Sequence, residues 1–477
     1  MYRSALIFSL IEKNLSLIIR FGSSIILARL LTPEDFGIFA IATTFIFFAE
    51  TIQQVGIPNY ILKEDKLDSQ KLSSAFLLMM SIGVLVAASL FISASSIAHF
   101  YGSSDLSYLI QLTAITLVIA PISTIERSLL RRSLNFKKIA VIEVVAIFLS
   151  TLVSLGLAFE SFGVVSLSYG LVAHYFVLAV LFRFWRSDNI KLGFHISKIA
   201  EIWKFTSPLL GASMIAQFGN NAPRLLIGKI FSDAGLGQYA RAQSTADLFG
   251  SFLVQGLRPA IAPVFSDLKR QGSSLAEPLQ KIVNIQCTIG WPFYLFIAYF
   301  SLPIITTIYG DQWVIASNLV LWFCISQSLS LITGNYTDIL EGLGHSKVLL
   351  SIQLKIQLMK LLCLVLSFYL SDDLNQFVMW FILSFSAIKF FYMLYVGKRF
   401  LHLKPTELLK PCIPALLSSL FFSLPLIAHF ILRIEITPTS FIGILVISFS
   451  VWFTVLFSVN QLVRAEIMAV IKKYRGL

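Results

Sequence analysis

Charged and amide side chains interrupt long apolar runs at a few places, and the chemistry open to this sequence lies there. Lys13 and Arg20 stand seven residues apart in the run 6–31, on one face of a helix. In 36–62, Thr43, Glu50 and Gln54 share a face. The run 206–231 carries Gln217, Asn220, Asn221 and Arg224 at i, i+3, i+4 and i+7, and 237–263 carries Gln243, Asp247, Ser251 and Gln255, each four residues on. Gln353, Gln357 and Lys360, with Lys355 nearby, mark 347–370, and Lys389 sits inside 374–397. A charge inside hydrocarbon is costly, so it faces either a wet interior or a partner. Amides and hydroxyls suit sugar hydroxyls, ammonium and guanidinium groups suit phosphate, and the planar fork of Arg fits a diphosphate. Interhelical hydrogen bonds and ion pairs are an equally physical use of the same residues, and lysines near run ends can snorkel. The spacing assigns Lys13, Arg20, Gln217, Asn220, Asn221, Arg224, Lys355, Lys360 and Lys389 to a cationic substrate cavity. Glu50 and Asp247 are assigned to carrying a coupling ion or to balancing a neighbouring cation.

Other constellations are weak. The 6 histidines form no metal-ligand spacing, and no nucleophile–base set can be read, so no catalytic residue and no metal are expected. Cys287, Cys324, Cys363 and Cys412 lie in apolar runs without a paired spacing, against disulfides and structural zinc. Gly342-Leu343-Gly344-His345-Ser346-Lys347 lacks the full phosphate-loop spacing and is expected to be a turn between helices.

The elements that must position these residues follow from composition. The chain has 477 residues, 57% hydrophobic and only 13% charged, about half the roughly 25% of a soluble domain. Mean hydropathy is +0.81. That excludes a water-soluble globule and a disordered chain. A crossing needs about 20 apolar residues, which leaves room for about fourteen membrane-spanning helices. They are read at 6–31, 36–62, 75–98, 106–126, 139–159, 163–184, 206–231, 237–263, 282–308, 315–340, 347–370, 374–397, 411–433 and 438–460. Glu12 and Lys13 break the first run, so it is not read as a cleavable leader.

The formal charge of +12 is placed unevenly. Loops after alternate spans are basic, with Lys63, Lys66 and Lys71, then Arg131, Arg132, Lys137 and Lys138, then Arg183, Arg186, Lys191, Lys198 and Lys204. Lys269 and Arg270, then Lys398, Arg399, Lys404 and Lys410, and finally Arg464, Lys472, Lys473 and Arg475 in the tail, continue the alternation. Cytoplasmic loops retain positive charge, so both termini are expected in the cytoplasm, and the basic excess does not call for nucleic acid.

The sequence also repeats. Ala28-Arg29-Leu30-Leu31-Thr32-Pro33-Glu34-Asp35-Phe36-Gly37-Ile38-Phe39-Ala40 aligns without a gap on Gly228-Lys229-Ile230-Phe231-Ser232-Asp233-Ala234-Gly235-Leu236-Gly237-Gln238-Tyr239-Ala240. Gly56 falls on Gly256 in the same register. About six spans separate the copies, an even number, which implies a parallel repeat. The expected architecture is an all-α polytopic membrane protein with two parallel six-helix lobes, 1–204 and 205–404, and two further helices with a basic tail in 405–477. Two such lobes facing each other would leave a central cavity and rock to give alternating access.

The segment Ala28–Gly37 resembles the turn between the first two helices of Wzx-type (WzxC-like) polysaccharide-export flippases of the MOP (multidrug/oligosaccharidyl-lipid/polysaccharide) superfamily. Leu226-Ile227-Gly228-Lys229 followed by Leu236-Gly237-Gln238-Tyr239-Ala240-Arg241-Ala242 is similar to the family's pattern at spans seven and eight, as is Leu129–Lys138. One departure is visible: Asn221-Ala222-Pro223-Arg224 has Pro223 where related sequences often have an acid, and a kink is expected there. The resemblance implies a flippase, not an enzyme, that moves undecaprenyl-pyrophosphate-linked oligosaccharide across the bacterial inner membrane for O-antigen, exopolysaccharide or capsule assembly. It implies membrane lipid, a polysaccharide polymerase and chain-length proteins as partners, no cofactor, and a proton or sodium gradient as the natural energy source where one is used. Spans thirteen and fourteen are expected to help form a groove for the polyprenyl tail. A multidrug or cation antiporter of the same fold is the alternative, although its site should favour carboxylates. A polysaccharide polymerase or ligase is a second alternative, weakened by short outer loops.

Overall fold

The computed structural model describes residues 2–54, 56–185, 195–250, 255–432 and 438–459, and these are helical with short turns and no strand. Arg186 and Lys191, Ser251, and the tail's Arg464, Lys472, Lys473 and Arg475 lie outside the described residues. In chain order the helices are α1 (Tyr2–Leu30), α2 (Pro33–Gln54), α3 (Ile57–Lys63), α4 (Ser69–Tyr101), α5 (Ser104–Arg132), α6 (Phe136–Phe159), α7 (Val165–Phe184), α8 (Ile199–Ile230) and α9 (Ser232–Phe249). Then come α10 (Gln255–Arg270), α11 (Ala276–Tyr299), α12 (Ser301–Tyr309), α13 (Val314–Thr333), α14 (Tyr336–Gly342), α15 (Ser346–Tyr369), α16 (Leu374–Phe400), α17 (Pro405–Leu409), α18 (Cys412–Ile431) and α19 (Pro438–Val459). Contacts divide the chain into two compact units, Met1–Ala240 and Arg241–Leu477.

Local chemistry sets the helix ends. The Asp68 carboxylate accepts from the Lys71 N–H at 2.7 Å and starts α4, and Gly102, at φ 77°, ends it in the left-handed region that glycine enters without strain. Asp373 caps α16 in the same way, accepting from Gln376 N–H at 2.8 Å. At the head of α2, Thr32 N–H donates to Asp35 Oδ2 at 2.8 Å, and Asp35 N–H donates back to Thr32 Oγ1 at 3.2 Å. This reciprocal cap satisfies donors the helix cannot. The repeat partner Ser232 does part of the same work, with Gly235 N–H donating to its Oγ at 3.3 Å.

These two turns meet each other inside the first unit. A Cβ placed on Gly37 would fall within the backbone carbonyl of Asp233, and one placed on Gly237 would fall within that of Pro33. The contact is reciprocal, glycine against backbone in both directions, and no side chain fits at either position without separating the turns. The Gly342–Lys347 segment is the turn expected of it: α14 ends at Gly342 and α15 begins at Ser346, with Gly342 close against the backbone of Ala262.

Among the described residues, 11 helical stretches are long and apolar enough to cross a membrane. The sequence expectation of about fourteen spans exceeds this by those in α1, α8 and α9–α10. The physical reason is their composition, since these helices carry Lys13 and Arg20, Gln217 through Arg224, and Gln243 and Asp247. The helices that fall short as lipid-facing spans are those most interrupted by polar side chains.

In the first unit α1 packs on α6, α4 on α5 and α6 on α7. One apolar cluster joins Ile57, Tyr60 and Ile61 of α3 to Leu72 and Met79 of α4, Ile125 of α5 and Ile202 of α8. In the second unit α11 packs against α13 and α18, α13 against α16, and α15 against α16. The last pair of helices is anchored by Phe300, Phe422, Leu426 and Ile444.

Candidate functional site

The structure divides the sequence-predicted site residues into two sets, one in each unit. In the first unit, α1 presents Lys13 and Arg20 as exposed side chains, and Arg20 lies within electrostatic range of His174 and Tyr175 on α7. Glu50 of α2 is half-buried and accepts a short hydrogen bond from the Tyr175 hydroxyl. Thr43 is buried and turned back onto the Phe39 carbonyl at 2.8 Å, whereas Gln54 is exposed. On α8, half-buried Gln217 donates to the Phe47 carbonyl at 3.5 Å, at the limit of a hydrogen bond. Buried Asn221 donates to the Gln217 carbonyl at 3.0 Å. Asn220 is exposed and Arg224 half-buried, and α8 runs on as helix through Pro223 to Ile230.

Sequence reasoning missed several polar residues in this unit. Arg127 of α5 bridges Glu143 of α6 at 3.0 Å, with the carboxylate side chain only 8% exposed. Gln53, adjacent to the expected Gln54, is fully buried and donates to the Leu117 carbonyl of α5. His174 and Tyr175 in the middle of an apolar run were a usable signal. The Glu50–Tyr175 pairing was not, because its members lie 125 residues apart.

In the second unit, Asp247 of α9 is half-buried and accepts from the Gln327 amide of α13. Next to Gln327, the Ser326 hydroxyl meets Ser386 of α16 at 2.7 Å, so a polar trail crosses three helices. Lys355 is exposed on α15, and Lys360 and Lys389 are half-buried on α15 and α16. At the start of this unit the buried guanidinium of Arg241 lies over the rings of Tyr309 and Trp313, 4.4 and 4.6 Å from their centroids. That geometry stabilises a cation through the ring faces. An apolar groove of about 360 Å³ opens among α11, α13 and α18, lined by Trp291, Tyr294, Leu321, Cys324, Leu416 and Leu420. Among the described residues there is no group of His, Cys, Asp and Glu able to hold a metal ion.

Taken together, the geometry offers ammonium, guanidinium and amide groups on helices of a membrane protein, with carboxylates already engaged by neighbours. The family described as polysaccharide biosynthesis protein matches residues 26–318. The chain belongs to this family. It is 21% identical over 349 residues to the succinoglycan biosynthesis transport protein ExoT of Rhizobium meliloti, covering 72% of this chain and 69% of that one. It is 23% identical over 293 residues to the lipopolysaccharide biosynthesis protein WzxC of Escherichia coli, covering 60% of this chain and 59% of that one. The lipid II flippase MurJ, solved in an inward closed conformation, superposes with a TM-score of 0.76 at 15% identity, over 94% of this chain and 98% of that one. That likeness shows the fold, an all-α polytopic arrangement shared with solved transporters of the MOP superfamily.

Proposed function

We propose that this chain translocates a polyprenyl-diphosphate-linked oligosaccharide from the cytoplasmic to the periplasmic leaflet of the bacterial inner membrane, for assembly of a surface polysaccharide. It is a multi-pass membrane transport protein and not an enzyme. The head group must cross hydrocarbon while the tail stays in it. The observation that carries the reading is the distribution of polarity. The spans that fall short of membrane apolarity, α1, α8 and α9–α10, hold Arg20, Gln217, Asn220, Asn221, Arg224 and Asp247. Such helices gain by facing a wet interior rather than lipid. Counting them gives about fourteen crossings, two lobes of six in 1–204 and 205–404 with two further helices in 405–477, and both termini in the cytoplasm.

Lys13, Arg20, Arg224, Lys355, Lys360 and Lys389 would meet the anionic part of the head group, and Gln217, Asn220 and Asn221 the sugar. The apolar groove beside α18 suits part of a polyprenyl tail. Glu50 and Asp247 are the groups available to a coupling proton or sodium ion, though both are engaged, by Tyr175 and Gln327. A polymerase and chain-length proteins would take up the product. A cation antiporter fits less well, because the half-buried charges on α15 and α16 are lysines.

The test is Arg224→Ala and Lys360→Ala in cells that depend on this gene for a surface glycan. Surface glycan should fall at least tenfold at equal protein level, with lipid-linked units accumulating on the cytoplasmic side. Normal glycan from both variants refutes the residue assignment, and normal glycan on deletion of the gene refutes the function.

A further inference from the structure

Helices α1 and α8 are counterparts in the repeat, since Ala28–Ala40 at the end of α1 aligns on Gly228–Ala240 at the end of α8. They are held differently. Helix α1 packs on α6 of its own copy, whereas α8 packs on α2, α3 and α4, which belong to the other copy. The attachment is most elaborate at the start of α8. Ile202 and Thr206 are fully buried there, and Ile202 joins the apolar cluster of Ile57, Ile61, Leu72 and Ile125. A polar rim surrounds that cluster. Glu201 lies 3.8 Å from the Lys71 ammonium and 3.4 Å from the Tyr60 hydroxyl. The Phe205 ring packs on Tyr60 with centroids 5.6 Å apart and has Lys63 Nζ 5.4 Å away. Just ahead of the helix, the Ser74 hydroxyl donates to the His195 carbonyl at 2.6 Å. The far end of α8 is met in another way. The Tyr101 hydroxyl donates to the Leu225 carbonyl at 3.3 Å, and exposed Lys229 donates to the Phe100 carbonyl with the Phe100 ring 4.4 Å away. Beyond them the turns meet glycine against backbone at Gly37 and Gly237, a surface that can part without drawing interlocked side chains from a cluster. Exposed polar contacts exchange protein for water at small cost, whereas pulling Ile202 from its cluster exposes apolar area.

We infer that α8 is a lever, pivoted at its first two turns on the corner of α3 and α4 and swinging at its far end, and that the swing carries Gln217, Asn221 and Arg224 through the transport path. This rests on the flippase reading and gives it a moving part. By sequence α8 opens the second copy, and by packing its start is fastened to the first, so it is the element through which one copy can turn on the other. At about 1.5 Å of rise per residue Arg224 stands about 35 Å along the helix from Glu201, so a tilt of about 10° at the pivot moves it about 6 Å.

The experiment is thiol cross-linking of the full-length protein in cells that depend on this gene for a surface glycan, with the 4 native cysteines replaced by alanine. Lys71→Cys/Glu201→Cys, bridged by a short bis-methanethiosulfonate, fastens the pivot, and Phe100→Cys/Lys229→Cys fastens the far end. Mass spectrometry of the bridged peptides gives the extent of linkage. Fastening the pivot should leave surface glycan within about twofold of the unlinked protein, whereas fastening the far end should cut it about tenfold or more, with recovery on adding reductant. Loss of glycan on linking Lys71→Cys/Glu201→Cys, reversed by reductant, makes the corner a gate and overturns the pivot. Undiminished glycan with the far end linked overturns the swing. Ser74→Cys/His195→Cys fastens the same corner without touching the ion pairs. It carries the test if the Lys71 and Glu201 variants do not reach the membrane, and loss on linking it counts equally against the pivot. Normal glycan on deletion of the gene overturns the flippase reading itself, an outcome separate from either cross-link.

Discussion

In the first unit Arg127 bridges Glu143 across two helices, and Tyr175 donates to Glu50. In the second unit the Asp247 carboxylate accepts from the neutral Gln327 amide, and the Arg241 guanidinium lies over the rings of Tyr309 and Trp313. The difference separates two uses of a charge in a membrane protein. A neutralised pair holds helices in register at little net gain, since desolvation offsets most of the attraction. A charge met by a neutral amide or by ring faces is stabilised by that contact without being cancelled by it.

The contrast sets an order of effects. The largest effect is expected at Arg127→Met, which leaves Glu143 buried without its cation. Thermal unfolding should report a loss of about 2 kcal/mol, less than a fully buried pair because Arg127 is partly exposed. Arg127→Met/Glu143→Met should recover most of that loss, and a double variant as unstable as the single one would remove the pairing argument. Next comes Tyr175→Phe, which strips Glu50 of its hydroxyl donor and should cost about 1–2 kcal/mol in the same assay. The smallest effect is expected at Gln327→Leu, about 1 kcal/mol, because Asp247 has another interaction besides this amide. If Arg127→Met costs no more than Gln327→Leu, the ion pair of the first unit and the amide contact of the second do not differ and the comparison fails.

Much of the fold could be read in the sequence because lipid imposes one requirement everywhere, a long apolar stretch with its backbone bonded internally. Turn chemistry was equally local, as with Thr32 and Asp35 or Asp373 and Gln376. Site residues were legible by type and not by partner. Nothing in the spacing says that Glu50 meets a tyrosine on α7, or that Arg127 rather than Arg131 bridges Glu143, because those choices depend on how helices rotate against one another. Gln53 and Gln54 show the limit at its sharpest. Adjacent positions differ by about 100° around a helix, so the buried amide was the neighbour of the one selected.

The meeting of the two turns ties the residue choice at one to the other. A turn on a protein surface ordinarily accepts side chains as long as its own packing survives. At Gly37 and Gly237 that freedom is absent. The residue tolerated at one site is dictated by the backbone of the other copy, so a side chain gained in either turn cannot be accommodated by change within that turn alone. Mutual dependence of this kind constrains both turns at once, and the ungapped match of 28–40 with 228–240 runs through the place where they touch.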